Sequence, residues 1–235
     1  MDRSAHLGQL VRELESNPGY ASGRRSFPRT VTGEDAADIA EAVHAQIDAG
    51  TRERARVAAE TGMKIACARG CNRCCEELVM VPVGEAEAVA RWLKRPENAA
   101  ILAGFRERYP AWRARLGDLP ERLVAAADRG DNEYYKQVFM TDVNARVLCA
   151  FNVGGDCQIY QARPILCRKA HSLDTPDLCG PHDPALRRQE IAFVPLDSLV
   201  KRSFSLFLAA HHAVLGAKAP QRALCDQVYQ LTTPA

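Results

Sequence analysis

The spacing of the cysteines constrains this chain more than any other feature of its sequence. Eight of the nine lie between Cys67 and Cys179, in two blocks separated by residues 76–148, which contain none. The N-terminal residues lack the apolar core of a secretory signal, so we expect a cytoplasmic protein. In that compartment spaced cysteines more often bind metal or act as catalytic thiols than form disulfides. A disulfide-linked module is the less favoured alternative, because the cysteine count is odd and two cysteines are adjacent.

Composition is that of an ordinary globular chain of 235 residues, with 47% hydrophobic and 26% charged residues. The formal net charge is only +2, so no overall electrostatic attraction toward nucleic acid or an anionic membrane is expected. The longest apolar stretch, residues 204–216, carries two histidines and is shorter than the about 20 residues that span a bilayer. We therefore expect neither nucleic acid nor membrane as a partner.

Apolar residues recur at helical spacing over most of the chain, which predicts a mainly α fold. Thr32 is the expected N-cap of a helix that extends toward residue 60, because Asp35 follows three residues later. Residues 78–83 read as a short strand or an extended segment ended by proline. Further helices are predicted over residues 3–15, 85–95, 97–108, 111–117, 119–129 and 197–216, and from Pro220 onward.

The first cysteine block is Cys67-Ala-Arg-Gly-Cys71-Asn-Arg-Cys74-Cys75. On an unbroken helix, the α-carbons of Cys67 and Cys74 would stand about 10 Å apart. That is too far for thiolates that bind zinc at about 2.3 Å, so we expect a bend at Gly70. Two metal sites or one polynuclear cluster would use the adjacent pair more easily than one tetrahedral zinc, unless Cys75 packs as a small hydrophobe.

The second block contains Cys149, Cys157, Cys167 and Cys179, spaced more loosely than in a zinc ribbon. Residues 147–151 and 157–160 read as two short β segments around the Gly154-Gly155 turn, which predicts a small hairpin. A group of thiolates needs compensating positive charge and hydrogen bonds. The basic residues placed to supply them are Arg69, Arg73, Arg163, Arg168 and Lys169.

These two blocks together resemble the CxxCxxCC cysteine-cluster family of zinc- or iron-chelating domains. The resemblance rests on residues 67–75, on Cys149-Ala-Phe, on Gly155-Asp-Cys157-Gln-Ile-Tyr160 and on Arg163-Pro-Ile-Leu-Cys167-Arg168. It covers residues 67–179, about half of the chain. It implies a metal-binding role for Cys67, Cys71, Cys74, Cys75, Cys149, Cys157 and Cys167, and Cys179 fits the family's further downstream cysteine.

The resemblance implies two functions. In the first, the chain is a metal-chelating protein that binds zinc or an iron–sulfur cluster through thiolates of two converging motifs. In the second it is a metal-dependent modifying enzyme, methylase-like or redox, because a related domain occurs in bacterial flagellin lysine methylases, where an iron–sulfur cluster is implied. A radical S-adenosylmethionine enzyme is disfavoured, since the chain lacks the repeated strand–helix alternation of such proteins.

The organisation that follows has three parts. Residues 1–60 form an N-terminal helical segment, residues 61–185 a cysteine-cluster metal-binding domain with a helical insertion, and residues 186–235 C-terminal helices packing on the same core. The fold class is thus a helical domain with a small irregular cysteine-rich centre and one short β-hairpin.

A few other residues carry weaker signals. His171 and His182 are near the second block and are alternative nitrogen ligands. The pair His211-His212 is expected to pack within a helix, and Cys225 to be a core thiol.

Overall fold

The computed structural model describes residues 9, 12, 32–62, 64–141, 147–169 and 221–234. The predicted helix over residues 197–216 and nearly all of the one over residues 3–15 lie outside these ranges. So do Cys179, the histidines at positions 171, 182, 211 and 212, and the side chain of Lys169.

The fold is mainly helical, as predicted, and its described part contains seven α-helices and two small antiparallel sheets. The helices are α1 (Gly33–Glu60), α2 (Val83–Leu93), α3 (Ala99–Leu116), α4 (Leu119–Arg129), α5 (Asn132–Thr141), α6 (Ile165–Lys169) and α7 (Leu224–Thr232). The strands are β1 (Met80–Val81), β2 (Asn152–Val153), β3 (Asp156–Cys157) and β4 (Arg222–Ala223). No helix in the described ranges is long and apolar enough to cross a membrane.

Helix α1 begins where the sequence predicts. The Thr32 hydroxyl accepts a hydrogen bond from the backbone N–H of Asp35 at 3.1 Å, and the Asp35 carboxylate accepts one from the N–H of Thr32 at 3.0 Å. This reciprocal capping box satisfies two donors that the first turn leaves unpaired. Beyond the cap, Ile39 and Ile47 are fully buried, and α1 packs against α2.

The sequence prediction of a helix break at Pro110 was wrong. Helix α3 runs without interruption from Ala99 to Leu116, with Pro110 exposed in its interior. Proline removes one intrahelical hydrogen bond, but Phe105 and Trp112 on either side of it are buried in the main core. Their burial holds the helix together across the proline. Pro120 instead lies in the first turn of α4, where its missing N–H has no helical partner to lose.

The C-terminal segment also differs from its prediction. The last helix begins at Leu224, not at Pro220, because residues 222–223 form β4 and pair with β1, with Met80 opposite Ala223. The Gln227 side-chain amide donates to the Val81 carbonyl at 2.8 Å and fixes α7 against this sheet. Such a pairing between distant segments leaves no periodic signal in the sequence.

The predicted hairpin is present with shorter strands. β2 and β3 pair with Asn152 opposite Cys157, and Gly154 and Gly155 turn the chain at φ values of 60° and 91°. The Phe151 ring, just before β2, stacks on Phe105 of α3 with centroids 4.1 Å apart. The hairpin is therefore anchored directly to the hydrophobic core.

Two buried polar side chains attach residues 160–168 to the first two helices. Arg168 is 5% exposed, donates to the backbone carbonyls of Gln161 and Arg163, and pairs with Asp48 of α1. On α2, the buried Glu85 carboxylate bonds the His44 ring at 3.0 Å and accepts the backbone N–H of Ile165 at the start of α6.

We predict that Arg168→Ala lowers the free energy of unfolding by about 2–4 kcal/mol, because two buried carbonyls lose their donor. Arg56→Ala is the matched control, since Arg56 pairs with Glu53 and Glu60 on the exposed side of α1 and exposed ion pairs contribute little. Urea denaturation followed by circular dichroism measures both. Equal stabilities for the two variants would show that Arg168 does not hold this segment.

Candidate metal centre

The cysteines of the two blocks meet at one cavity of about 70 Å³. The backbone N–H of Cys149 donates to the Cys75 carbonyl at 2.8 Å and joins the blocks directly. The volume is well above the about 10–15 Å³ that a single buried water needs. The cysteines that line it are Cys67, Cys71, Cys74, Cys75, Cys149, Cys157 and Cys167, so all seven predicted positions in the described ranges are brought together.

The first block is folded by a turn and not by a regular helix. Gly70 has a φ of 92°, a backbone conformation that residues other than glycine rarely adopt. The N–H of Cys71 donates to the Ala68 carbonyl at 3.0 Å. A short 3₁₀ helix, Arg73–Glu76, then carries the adjacent cysteines. Both Cys74 and Cys75 line the cavity, as do Cys67 and Cys71. With the chain bent at Gly70, all four cysteines of the first block therefore face the same cavity.

The second block reaches the cavity from three separate parts of the chain. Cys149 precedes the hairpin, Cys157 lies in β3, and Cys167 lies in α6. At Gly155 a β-carbon would stand 3.8 Å from the Asn72 side-chain nitrogen, so the hairpin turn lies against the first block. An exposed ion pair between Arg69 and Asp156, at 2.9 Å, links the same two segments.

The pKa values of three of the cavity thiols are raised. Burial raises the pKa of the Cys157 thiol to about 11, a rise that the nearby Arg163 guanidinium partly opposes. Burial also raises the pKa of Cys167 well above its ordinary value, and neighbouring thiols add to the rise. The pKa of Cys74 rises because of its hydrogen bond with Cys75, together with burial. Ionisation of the group at neutral pH therefore requires added positive charge.

The basic residues take unequal roles. Arg163 lines the cavity, with its guanidinium carbon 3.6 Å from the centre of the Tyr160 ring and its Nε donating to the Tyr160 carbonyl at 3.0 Å. Arg69 pairs with Asp156, and Arg168 bonds carbonyls and Asp48. Five basic residues are predicted to compensate thiolate charge. Among those whose side chains the structure describes, Arg163 lines the cavity.

Cys225 is a buried core thiol, as predicted, but it does not stand apart from the others. Its Sγ lies 3.9 Å from the Sγ of Cys149. This hydrogen bond lowers the pKa of Cys149, whereas burial raises the pKa of Cys225. Their proximity follows from the start of α7 lying beside the second block, and no spacing in the sequence indicates it.

Asn152 is a cavity residue that sequence reasoning missed. It is 7% exposed and lines the cavity. Its Oδ1 accepts the N–H of Gly155 at 3.1 Å, while its Nδ2 has no hydrogen-bond partner in the described ranges. In the sequence, an asparagine two residues before Gly154-Gly155 indicates only a turn.

The chemistry of the donor set fits a soft metal, because thiolates select zinc, copper(I) and iron–sulfur clusters. Within the described residues, however, no three His, Cys, Asp or Glu side chains are arranged to hold a metal ion as they stand.

Comparisons with protein-family models, with curated proteins and with solved structures found no match to this chain. The resemblance to the CxxCxxCC family therefore rests on the motif residues themselves.

The raised thiol pKa values predict that the metal-free protein loses stability as pH rises. Thiols of the unfolded chain have a pKa of about 8.5. In the folded state the pKa of Cys157 is about 11, so this thiol keeps its proton to higher pH. Above pH 8.5 the folded state thus binds more protons, and the free energy of unfolding falls with pH. Cys149, whose pKa is lowered, opposes the other thiols only in part.

Urea denaturation of chelator-treated, reduced protein at a series of pH values measures this dependence. Cys157→Ser should make the decrease shallower. Stability that is constant or increases across this range would contradict the assignment of buried, protonated thiols.

Proposed function

We propose that this chain is a metal-binding cysteine-cluster protein whose cavity holds zinc or an iron–sulfur cluster through thiolates of both blocks. The observation that supports the proposal is the convergence of seven thiols, from segments far apart in the sequence, on one cavity. Metal binding exchanges thiol protons for a cation and supplies positive charge to these half-buried groups.

The adjacent residues Cys74 and Cys75, which both line the cavity, favour a polynuclear group or two ions over a single zinc. A single zinc would draw four sulfurs to about 2.3 Å from one point. An iron–sulfur cluster is wider and also takes four thiolates. A cluster with four thiolate ligands would leave some of the seven cavity cysteines unused. Two zinc ions that share thiolates are the alternative, and they would use more of these cysteines.

A second candidate is a metal-dependent modifying enzyme, and a specific groove favours it. This groove, about 310 Å³ in volume, lies between α1, α2 and residues 161–162, and Trp92 and the buried His44 are part of its wall. Tyr160 and Arg163 line the cysteine cavity while Gln161 and Ala162 line the groove, so one short turn separates the two. A substrate in the groove would lie next to a cofactor in the cavity.

The enzyme candidate is tested with S-adenosylmethionine labelled on its methyl group, in the presence of cell-extract proteins. Metal-loaded protein is expected to transfer label, and Cys74→Ser and His44→Gln to transfer much less. Equal transfer by all three, or none by any, would count against this candidate.

We predict that protein purified without oxygen carries stoichiometric zinc or iron, and that a variant with both Cys74→Ser and Cys157→Ser loses most of it because the double change removes a thiolate from each block. Metal analysis, acid-labile sulfide and the absorption spectrum measure this. Arg56→Ala is the control, since Arg56 pairs with Glu53 and Glu60 on the exposed side of α1 and does not line the cavity, and it should retain metal. A wild-type protein with little zinc and little iron would overturn the proposed function.

A further inference from the structure

The unpartnered amide nitrogen of Asn152 indicates what the cavity is built to bind. The Asn152 side chain is more than nine-tenths buried, and its Nδ2 has no hydrogen-bond partner in the described part of the chain. Leaving a buried donor unpaired costs free energy, so native proteins rarely do so without a reason. An acceptor that arrives with a ligand in the neighbouring cavity would satisfy this donor.

The orientation of the amide is fixed by its other end. The Asn152 Oδ1 accepts the Gly155 N–H at 3.1 Å within the hairpin turn, and only the oxygen of the amide can accept. The nitrogen is therefore the end left unpaired. Because Gly155 has a φ of 91° and holds its turn position, the amide cannot rotate without breaking this bond.

The place of Asn152 in the hairpin puts it opposite Cys157. Asn152 and Cys157 are directly opposite in the β2–β3 pair, and both line the cavity. Side chains of directly opposed residues lie on the same face of a sheet with β-carbons about 4.5–5.5 Å apart. A protonated Cys157 is a poor acceptor, but a thiolate there is a strong one.

We propose that Asn152 donates an N–H···S hydrogen bond to a sulfur of the metal–thiolate group, with the Cys157 thiolate as its first partner. The inference rests on the proposed function and deepens it. Asn152 is a positioning residue and not a ligand: it stabilises negative charge on sulfur, as Arg163 does from the cavity wall. Hydrogen bonds to cluster sulfurs are among the features that set the affinity and the reduction potential of such sites.

The test compares two amide-to-carboxylate changes on the same hairpin. Asn152→Asp keeps the size of the side chain and an oxygen for the Gly155 N–H, but it removes the donor. Gln158→Glu adds the same charge at a residue that does not line the cavity, whose amide donates to the Asp156 carbonyl. Zinc affinity is measured by competition with a chromophoric chelator, and loss of such a hydrogen bond typically costs about 10–100-fold.

We expect that loss for Asn152→Asp and an unchanged affinity for Gln158→Glu. A spectroscopic measurement separates this role from a merely structural one. In cobalt(II)-substituted protein, removal of the N–H···S bond should move the sulfur-to-cobalt charge-transfer band to longer wavelength. If Asn152→Asp does not fold, Asn152→Ser, which keeps an oxygen near the turn, is expected to change affinity and band in the same directions.

The outcomes are distinguishable. A wild-type chain that binds neither zinc nor cobalt nor iron overturns the proposed function. A wild-type chain that binds metal, with Asn152→Asp equal to Gln158→Glu in affinity and spectrum, overturns this inference alone.

Discussion

The structure depends on one electrostatic constraint: seven thiols share a small cavity and cannot all ionise there without added positive charge. Each thiolate would be both desolvated and repelled by its neighbours, as the raised pKa of Cys167 illustrates. Arg163 contributes positive charge from the wall, which is far less than several thiolates carry. The proposed metal group would resolve the conflict, because it would replace the protons and turn mutual repulsion into shared coordination.

The helices hold the two blocks in place from outside the cavity. Glu85 of α2 ties the start of α6, and Arg168 ties residues 161–163 and α1, so Cys167 is positioned by buried hydrogen bonds of its neighbours. Phe151 plays the corresponding part for the hairpin by stacking on Phe105. These contacts do not require the cysteines, so the scaffold can keep the thiols near one another before metal binds.

Sequence reasoning succeeded where the signal is local or chemical. Thr32 and Asp35 cap α1 because a capping box needs only residues three apart, and the resemblance of the two cysteine motifs to a known family pointed to seven side chains that share a cavity. It failed where contacts between distant segments determine the local structure. The helix continues through Pro110 because Phe105 and Trp112 are buried on either side. The contact of Cys225 with Cys149 and the cavity position of Asn152 both follow from distant segments packing together, which periodicity and motifs do not encode.

X-ray absorption at the zinc and iron edges of protein purified without oxygen tests the proposed thiolate site most directly. A site formed by both cysteine blocks gives a nearest coordination shell of sulfur, at about 2.3 Å from the metal, with additional metal–metal scattering if the group is polynuclear. A shell of nitrogen and oxygen, or the absence of both metals, would contradict the claim that the two cysteine blocks form one thiolate metal site.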